Sequence, residues 1–147
     1  AVVNLLRRKQ VWGGKDATIT AEEVRKYNYH DGGYYWETKC CGYTMKYANR
    51  SSVNKTKGDL SYSEYIQRLL DERPEGIVLY TQHDYGPHAV TITNYEIIDG
   101  KIQFFVMDSK NAGNKLKLED TALYSQYKSS ITAEEIFSKM HNLYYVK

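Results

Sequence analysis

The stretch GPHAVTITNYEIIDGKIQFFVMDSKN, residues 86–111, decides the fold of this chain. Two runs rich in β-branched and aromatic residues flank the dipeptide Asp99-Gly100, which is a strong signal for a β-hairpin. A His opens the first run and an Asp closes the second, at positions where a purely structural hairpin needs neither. The stretch therefore predicts an antiparallel hairpin and marks His88 and Asp108 as candidate site residues.

The register of this hairpin determines whether the two side chains can meet. A strict two-residue turn places Asp108 opposite Thr91, on the sheet face opposite to His88. A three-residue loop over 98–100, or an equivalent bulge, shifts the register by one residue. Asp108 then pairs with Val90 and lies on the same face as His88, one diagonal step away. Without a bulge, the simpler interpretation holds: a surface His at a strand start and a turn-forming Asp.

Composition indicates an ordinary globular protein. The 147 residues fit one domain spanning 1–147, and 41% apolar with 26% charged residues is a typical balance. The net charge of +2 is spread along the chain and predicts no nucleic-acid partner. No apolar run approaches the ~18 residues of a membrane helix, so no membrane span is expected. Fifteen Tyr against three Phe and two Trp favour half-buried grooves that hold polar ligands.

Helix signals come first along the chain and strand signals later. Apolar spacing predicts a helix over 1–11, and capping boxes beginning at Thr20, Ser61 and Thr132 open three more. The stretch 28–58 indicates mostly loop. Strands are predicted at 77–80, 88–98, 101–107 and 116–118, with an edge strand at 143–146 and a short strand or turn at 43–47. This order predicts an α+β fold.

A His-Asp pair needs a nucleophile to act as the base half of a thiol enzyme. Cys41 is the visible candidate, although the residues after it form only a weak helix start. Cys40 and Cys41 are equally compatible with packing residues or a loose redox pair, and adjacent cysteines suit an ordinary disulfide poorly. Cys41 is therefore the alternative nucleophile rather than the main one.

A metal site is the other chemistry that the pattern allows. His83 and His88 with Asp84 could chelate a cation, but no His or Cys pair nearby has a zinc-like spacing. The sequence therefore predicts no metal and no cofactor.

The first helix suggests where another nucleophile lies. The chain begins at Ala1 rather than Met, and no N-cap residue precedes the helical pattern. We expect the chain to continue upstream, and a Cys one turn before Ala1 would lie at a helix N-terminus, where the thiolate is favoured.

Four segments together resemble a known family: AVVNLLRRK at the start, then RPEGIVLY, GPHAVTITNY and FFVMDSKN. They are similar to the papain-like cysteine peptidases of the double-glycine leader-peptidase type and their bacterial relatives. The resemblance covers about half of the chain. It implies a papain-like two-lobed fold, with an N-terminal helical part packed on a C-terminal antiparallel sheet.

The resemblance also implies roles for individual residues. His88 matches the family's general base in an HAV-type motif, and Asp108 matches the Asp that orients it. The family's Cys and the Gln of its oxyanion hole fall upstream of Ala1. Ser109 follows Asp108 where the family often has Pro.

Two functions follow as hypotheses. The first is a cysteine peptidase-like domain that hydrolyses peptide bonds or transfers acyl groups on a peptide or protein substrate, in a Tyr-lined groove. The second is an inactive papain-like domain that binds a peptide or glycan. The residue upstream of Ala1 discriminates between them.

Overall fold

The computed structural model describes residues 1–83, 86–108, 116–121 and 132–147, without the side chains at 82, 83, 86, 87 and 120. The helices are α1 (Val2–Trp12), α2 (Ala21–Asn28), α3 (Arg50–Lys57), α4 (Tyr62–Glu72) and α5 (Ala133–Ser138). The strands are β1 (Tyr29–His30), β2 (Gly33–Tyr34), β3 (Lys39–Cys40), β4 (Tyr43–Asn49), β5 (Ile77–His83), β6 (Gly86–Ile98), β7 (Lys101–Met107), β8 (Leu116–Lys117) and β9 (Met140–Val146). None of the helices within these ranges is long and apolar enough to cross a membrane.

The sheet has seven strands in the order β3-β4-β9-β5-β6-β7-β8, and all neighbouring strands pair antiparallel. The strands β1 and β2 form a separate small hairpin. A large antiparallel sheet with separate helices confirms the α+β class.

The last strand, β9, lies in the middle of the sheet, so its prediction as an edge strand was wrong. It pairs with β4 on one side and β5 on the other. All of its residues except His141 are buried. Near-continuous burial is what a central strand covered on both faces requires. The position of a segment at the end of a chain carries no information about its position in a sheet.

Helices cover both faces of the sheet, and the alternation of side chains along each strand explains how. On β5, Ile77 and Leu79 join one apolar cluster, whereas Val78 between them joins the other. The first cluster includes residues of α4 and α5, and the second includes residues of α1 and α2. The N-terminal helices thus pack on one face of the sheet while the later helices pack on the other.

The helix starts predicted from capping signals are confirmed. Thr20 accepts a hydrogen bond from the backbone of Glu23 at 3.2 Å, and Thr132 caps α5 in the same way. Ser61 and Glu64 form a complete capping box at the start of α4. Helix α5 ends at Ser138, and the chain enters β9 at Met140.

The prediction of mostly loop over 28–58 was wrong outside 43–47. This stretch contains the four strands β1 to β4 and helix α3. Three of the strands have two residues each, too few to produce a periodic pattern. Of the two alternatives for 43–47, a short strand or a turn, the structure has the strand, which is the first part of β4. Helix α3 begins after Asn49, whose side chain accepts from the backbone of Ser52 at 2.9 Å.

Candidate active site

The β6–β7 hairpin closes with a strict two-residue turn. Ile98 pairs with Lys101, and the two residues between them have φ angles of 52° at Asp99 and 75° at Gly100. Positive φ at both positions is the geometry that Asp-Gly turns adopt in tight hairpins. The three-residue loop over 98–100 is therefore not formed.

A bulge inside β6 supplies the register shift instead. The regular pairing runs from the turn to Asn94, which pairs with Phe105. The next pair is Ile92 with Val106, so Thr93 is the extra residue. A bulge of this kind leaves two residues of one strand facing one residue of the other.

The shifted register brings His88 and Asp108 together. Beyond the bulge Thr91 pairs with Met107, so the next residue of the chain, Asp108, arrives opposite Val90. His88 Nε2 lies 3.1 Å from Asp108 Oδ2. This is the arrangement that the sequence required of a catalytic pair.

A glycine from another part of the chain lies against the bulge. Gly76 has a φ of 104°, and a Cβ atom there would lie 2.3 Å from the carbonyl oxygen of Ile92 and 3.3 Å from Thr93 Cα. No side chain fits at that distance. The glycine of the RPEG sequence therefore lets the backbone before β5 come very close to the bulged part of the neighbouring strand β6.

Burial differs between the two members of the pair. The Asp108 side chain is 5% exposed and the His88 side chain 22% exposed. A buried carboxylate requires hydrogen-bond partners, and the imidazole is one of them. Because Nε2 faces the carboxylate, Nδ1 is the nitrogen left for chemistry.

The N-terminal end of α1 lies beside this pair. Thr91 Oγ1 donates a hydrogen bond of 2.7 Å to the carbonyl oxygen of Ala1. Ala1 and His88 also line the same cavity. The end of the helix and the imidazole therefore face a common space.

Helix α1 is tied to the turn that touches the bulge. Arg8 donates from Nε to the carbonyl oxygen of Glu75 at 2.8 Å and from Nη2 to that of Pro74 at 3.0 Å. The Glu75 side chain is buried, with Lys9 Nζ 3.6 Å away. The 74–76 turn thus contacts both the helix and the strand that form the site.

The cavity shared by Ala1 and His88 has a volume of about 470 Å³. It is lined by Ala1, Val2, Val3, Val24, Tyr34, Trp36, Tyr80, His88 and Ala89. A volume of this size is usual for a small-ligand or substrate site.

The alternative nucleophile Cys41 lies elsewhere in the fold. It occupies the turn between β3 and β4 with a φ of 52°, and β3 is four strands away from β6 in the sheet. Its Sγ is 3.8 Å from Cys40 Sγ. Burial raises the pKa of the Cys41 thiol and raises that of Cys40 to about 12. Raised thiol pKa values oppose thiolate formation.

The possible metal ligands are only partly described. Asp84 and the side chain of His83 lie outside the described residues, so this alternative stays a prediction. Among the side chains that are described, no group of three His, Cys, Asp or Glu residues could hold a metal ion.

No protein-family model, no curated protein and no solved structure matches this chain. The functional argument therefore depends on the geometry of the site.

The sequence did not identify the role of three residues around the site. Trp36 lies in a stretch interpreted as loop, where its aromatic character was the only signal. The role of Thr91 depends on a contact with Ala1, ninety positions away in the sequence. Gly76 lies in the RPEGIVLY segment, which gave no local sign of its approach to Ile92. Contacts between distant segments leave no local pattern that could have identified them.

Proposed function

We propose that this chain carries the His and Asp of a papain-like Cys-His-Asp thiol hydrolase that acts on peptide bonds. The nucleophile in this proposal is a Cys in the residues immediately before α1. The observation that supports it is the 3.1 Å contact between His88 and Asp108 beside the N-terminal end of α1.

The N-terminal end of α1 is a suitable position for a reactive thiol. The helix dipole and the free backbone N–H groups favour negative charge there, and an imidazolium nearby favours it further. His88 Nδ1 accepts the thiol proton, and the thiolate sulfur attacks the carbonyl carbon of the peptide bond. The imidazolium returns the proton to the leaving amine as the C–N bond breaks, which leaves a thioester.

The second half of the reaction uses the same base. His88 removes a proton from water, the resulting hydroxide attacks the thioester carbonyl, and the thiol leaves with the proton from the imidazolium. An amine in place of water would give acyl transfer instead. Asp108 accepts the Nε2–H hydrogen bond, which keeps Nδ1 available as the base and stabilises the imidazolium.

An inactive peptide- or glycan-binding domain is the second candidate. The observation in its favour is the aromatic lining of the cavity, with Tyr34, Trp36 and Tyr80 around a space large enough for a ligand. Aromatic faces bind peptides and sugars without any catalytic residue. This function requires no Cys before α1.

The test uses the chain expressed together with the residues that precede Ala1 in its gene. A peptide library with quenched fluorophores reports hydrolysis, and mass spectrometry after iodoacetamide treatment identifies the most reactive thiol. We expect one thiol upstream of Ala1 to react fastest, and its alkylation to abolish hydrolysis.

The matched variants are His88→Ala and His141→Ala. Loss of hydrolysis in the first and not in the second supports the proposal, because His141 is not among the residues that line the site cavity. A longer chain that lacks an upstream Cys and binds peptides without cleaving them would favour the binding domain instead.

A further inference from the structure

Three hairpins of the described structure close with the same two-residue turn. The first turn residue has a φ of 52° in each, at Asp31, Cys41 and Asp99, and a glycine follows it. Asp tolerates this conformation because its short polar side chain forms local hydrogen bonds, whereas the side chain of Cys does not. The chemistry of the turn therefore explains the two Asp residues but not the Cys, and strained residues of this kind are common at functional sites.

The turn between β3 and β4 brings two thiols together. Cys40 ends β3 and pairs with Tyr43 across the turn, and its Sγ lies 3.8 Å from Cys41 Sγ. Cys40 is fully buried and Cys41 is partly exposed. A Cβ atom at Gly42 would meet nothing within 4 Å, so the space beside the turn is open. A small ligand therefore reaches Cys41 first and Cys40 second.

The distance between the sulfurs suits a bridging atom better than a disulfide. Neighbouring Cα atoms are about 3.8 Å apart, below the range of about 4.4 to 6.8 Å that ordinary disulfides have. With the sulfurs 3.8 Å apart, an atom bonded to both at about 2.3 Å, the usual sulfur–zinc distance, has an S–X–S angle of about 110°. The pair therefore accepts a bridging atom without rearrangement of the turn.

This angle and the surroundings of the pair select the bridging atom. A linear two-coordinate ion would hold the sulfurs about 4.6 Å apart, which is too far. Zinc sites use three or four protein ligands, and no third His, Cys, Asp or Glu completes a metal-binding group among the side chains that the structure describes. Trivalent arsenic is pyramidal: it takes two sulfurs from a dithiol and keeps one oxygen or carbon substituent. Of these three geometries, the pyramidal one fits the spacing and needs no further protein ligand.

We propose that Cys40 and Cys41 form a dithiol site for trivalent arsenic, either arsenous acid or one of its monosubstituted organic derivatives. Two S–H and two As–OH bonds break, two As–S bonds form, and each thiol proton leaves with a hydroxyl group as water. Arsenic stays trivalent, so no oxidant or reductant is needed. Because free thiolates are not required, the reaction tolerates the raised pKa of both cysteines. The inference goes beyond the proposed function, because neither cysteine lines the cavity beside His88.

The two cysteines are the only thiols in the 147 residues, so adducts can be counted directly. The reduced chain is treated with one equivalent of arsenite or of phenylarsine oxide. Mass spectrometry then counts bound arsenic, and alkylation with iodoacetamide counts free thiols. We expect one arsenic atom per chain and the loss of both free thiols. Excess glutathione, a monothiol, should not remove the arsenic, whereas dithiothreitol, a dithiol, should.

The matched control keeps two thiols but separates them. Cys41→Asp gives this turn the residue of the other two turns, and Asp99→Cys places the second thiol in the turn between β6 and β7, at least four strands away from β3. The double variant should hold arsenic at least about 100-fold more weakly, because the second As–S bond no longer forms within one dithiol. Thermal unfolding of the double variant checks that it is folded.

The folded state should bind arsenic more tightly than the unfolded chain, because the turn holds the sulfurs at the bridging distance. The adduct should therefore raise the midpoint of thermal unfolding, as does any ligand that prefers the folded state. A peptide of residues 38–44 has the same two cysteines without the rest of the sheet. It should release arsenic to glutathione on the order of 10-fold more readily.

Equal retention of arsenic by the unaltered chain and the double variant would overturn the proposal, as would failure to bind either arsenic compound. An unchanged or lower midpoint would overturn it too, because the folded turn would then contribute nothing. Closure of the pair to an internal disulfide by oxidised glutathione would assign the pair to redox chemistry instead. Retention of both compounds would sustain a site for arsenous acid itself, and retention of phenylarsine oxide alone would sustain one for the organic derivatives.

Discussion

The two ends of the β6–β7 hairpin are built in different ways. At the turn end, Asp99 and Gly100 form a regular two-residue turn, and the neighbouring Ile97 and Ile98 are 61% and 46% exposed. At the site end, the strand carries a bulge at Thr93, and Val90 and Ile92 are fully buried. The conformation of the turn end depends on its own residues. The site end depends on contacts with α1 and with the 74–76 turn.

The difference explains how one hairpin can have a regular turn and also a register that brings His88 and Asp108 together. A strict turn alone would leave Asp108 on the wrong face of the sheet. The bulge places Asp108 on the same face as His88, and the backbone of Gly76 lies close beside it. Four changes would break or sharpen this comparison.

The largest expected effect is on activity, from Asp108→Asn at the site end. The amide keeps the shape of the carboxylate but cannot stabilise the imidazolium, so we expect kcat to fall about 1,000-fold, or about 4 kcal/mol in the barrier. The measurement is peptide hydrolysis by the extended chain with which the proposed function is tested. Asp99→Asn at the turn end is the control and should leave kcat unchanged, since Asn also tolerates positive φ. Comparable losses in both variants would contradict the assigned role of Asp108.

The second effect is on stability, from Gly76→Ala. The new Cβ atom would meet the Ile92 carbonyl oxygen at 2.3 Å in a strained backbone conformation. We expect the free energy of unfolding to fall by about 3 kcal/mol, measured in urea. Gly100→Ala also places a side chain at positive φ, but in open space, and should cost only about 1 kcal/mol. Equal losses of unfolding free energy in the two variants would show that the close approach of Gly76 to the bulge does not exclude a side chain.

The third effect tests the attachment of α1 to the site end. Thr91→Val removes the hydroxyl that donates to the Ala1 carbonyl oxygen and should lower the free energy of unfolding by about 1 kcal/mol. Thr91→Ser keeps the hydroxyl and is the control. Amide hydrogen exchange in the first turn of α1 should rise in the Val variant and not in the Ser variant. Unchanged exchange in both would mean that this bond does not hold the helix.

The smallest effect concerns the β1–β2 hairpin, which has the same turn dipeptide, Asp31-Gly32. The hydrogen bond to Glu37 and then that to Asp31 raise the pKa of His30. Because the folded state favours the imidazolium, its contribution to stability is complete below the ordinary His pKa of about 6.5 and is lost as pH rises through the folded value. Thermal unfolding from about pH 5.5 to about pH 8.5 measures this loss. This pH-dependent loss of stability should disappear in the His30→Gln variant. If the variant still shows the loss, other titrating groups cause it.

The local features of the fold were predictable from the sequence. Turns and helix caps form through hydrogen bonds between residues a few positions apart, so a short stretch of sequence is enough to predict them. This applies to the Asp99-Gly100 turn and to the capping residues Thr20, Ser61 and Thr132. The two-residue strands of the 28–58 region were not predictable, because their pairing is decided by partners elsewhere. The central position of β9 was not predictable either, because it depends on the space between β4 and β5 in the sheet.

The candidate site was predictable in its residues but not in its geometry. His88 and Asp108 stood out because a lone His and a lone Asp end two apolar strands. Whether they meet depended on a register that the sequence left open between a regular and a bulged hairpin. The structure has the bulge, but at Thr93 rather than at the turn.

The sequence by itself determined the hairpin, the helix starts and the identity of the two candidate residues, because turn chemistry, caps and apolar spacing act locally. Only the tertiary structure decided that the residues face each other beside α1. That outcome requires Gly76, Thr91 and Arg8 to contact segments far away in the chain. Such contacts form when the helices and the sheet pack together, and the packing of distant segments leaves no periodic signal in the sequence.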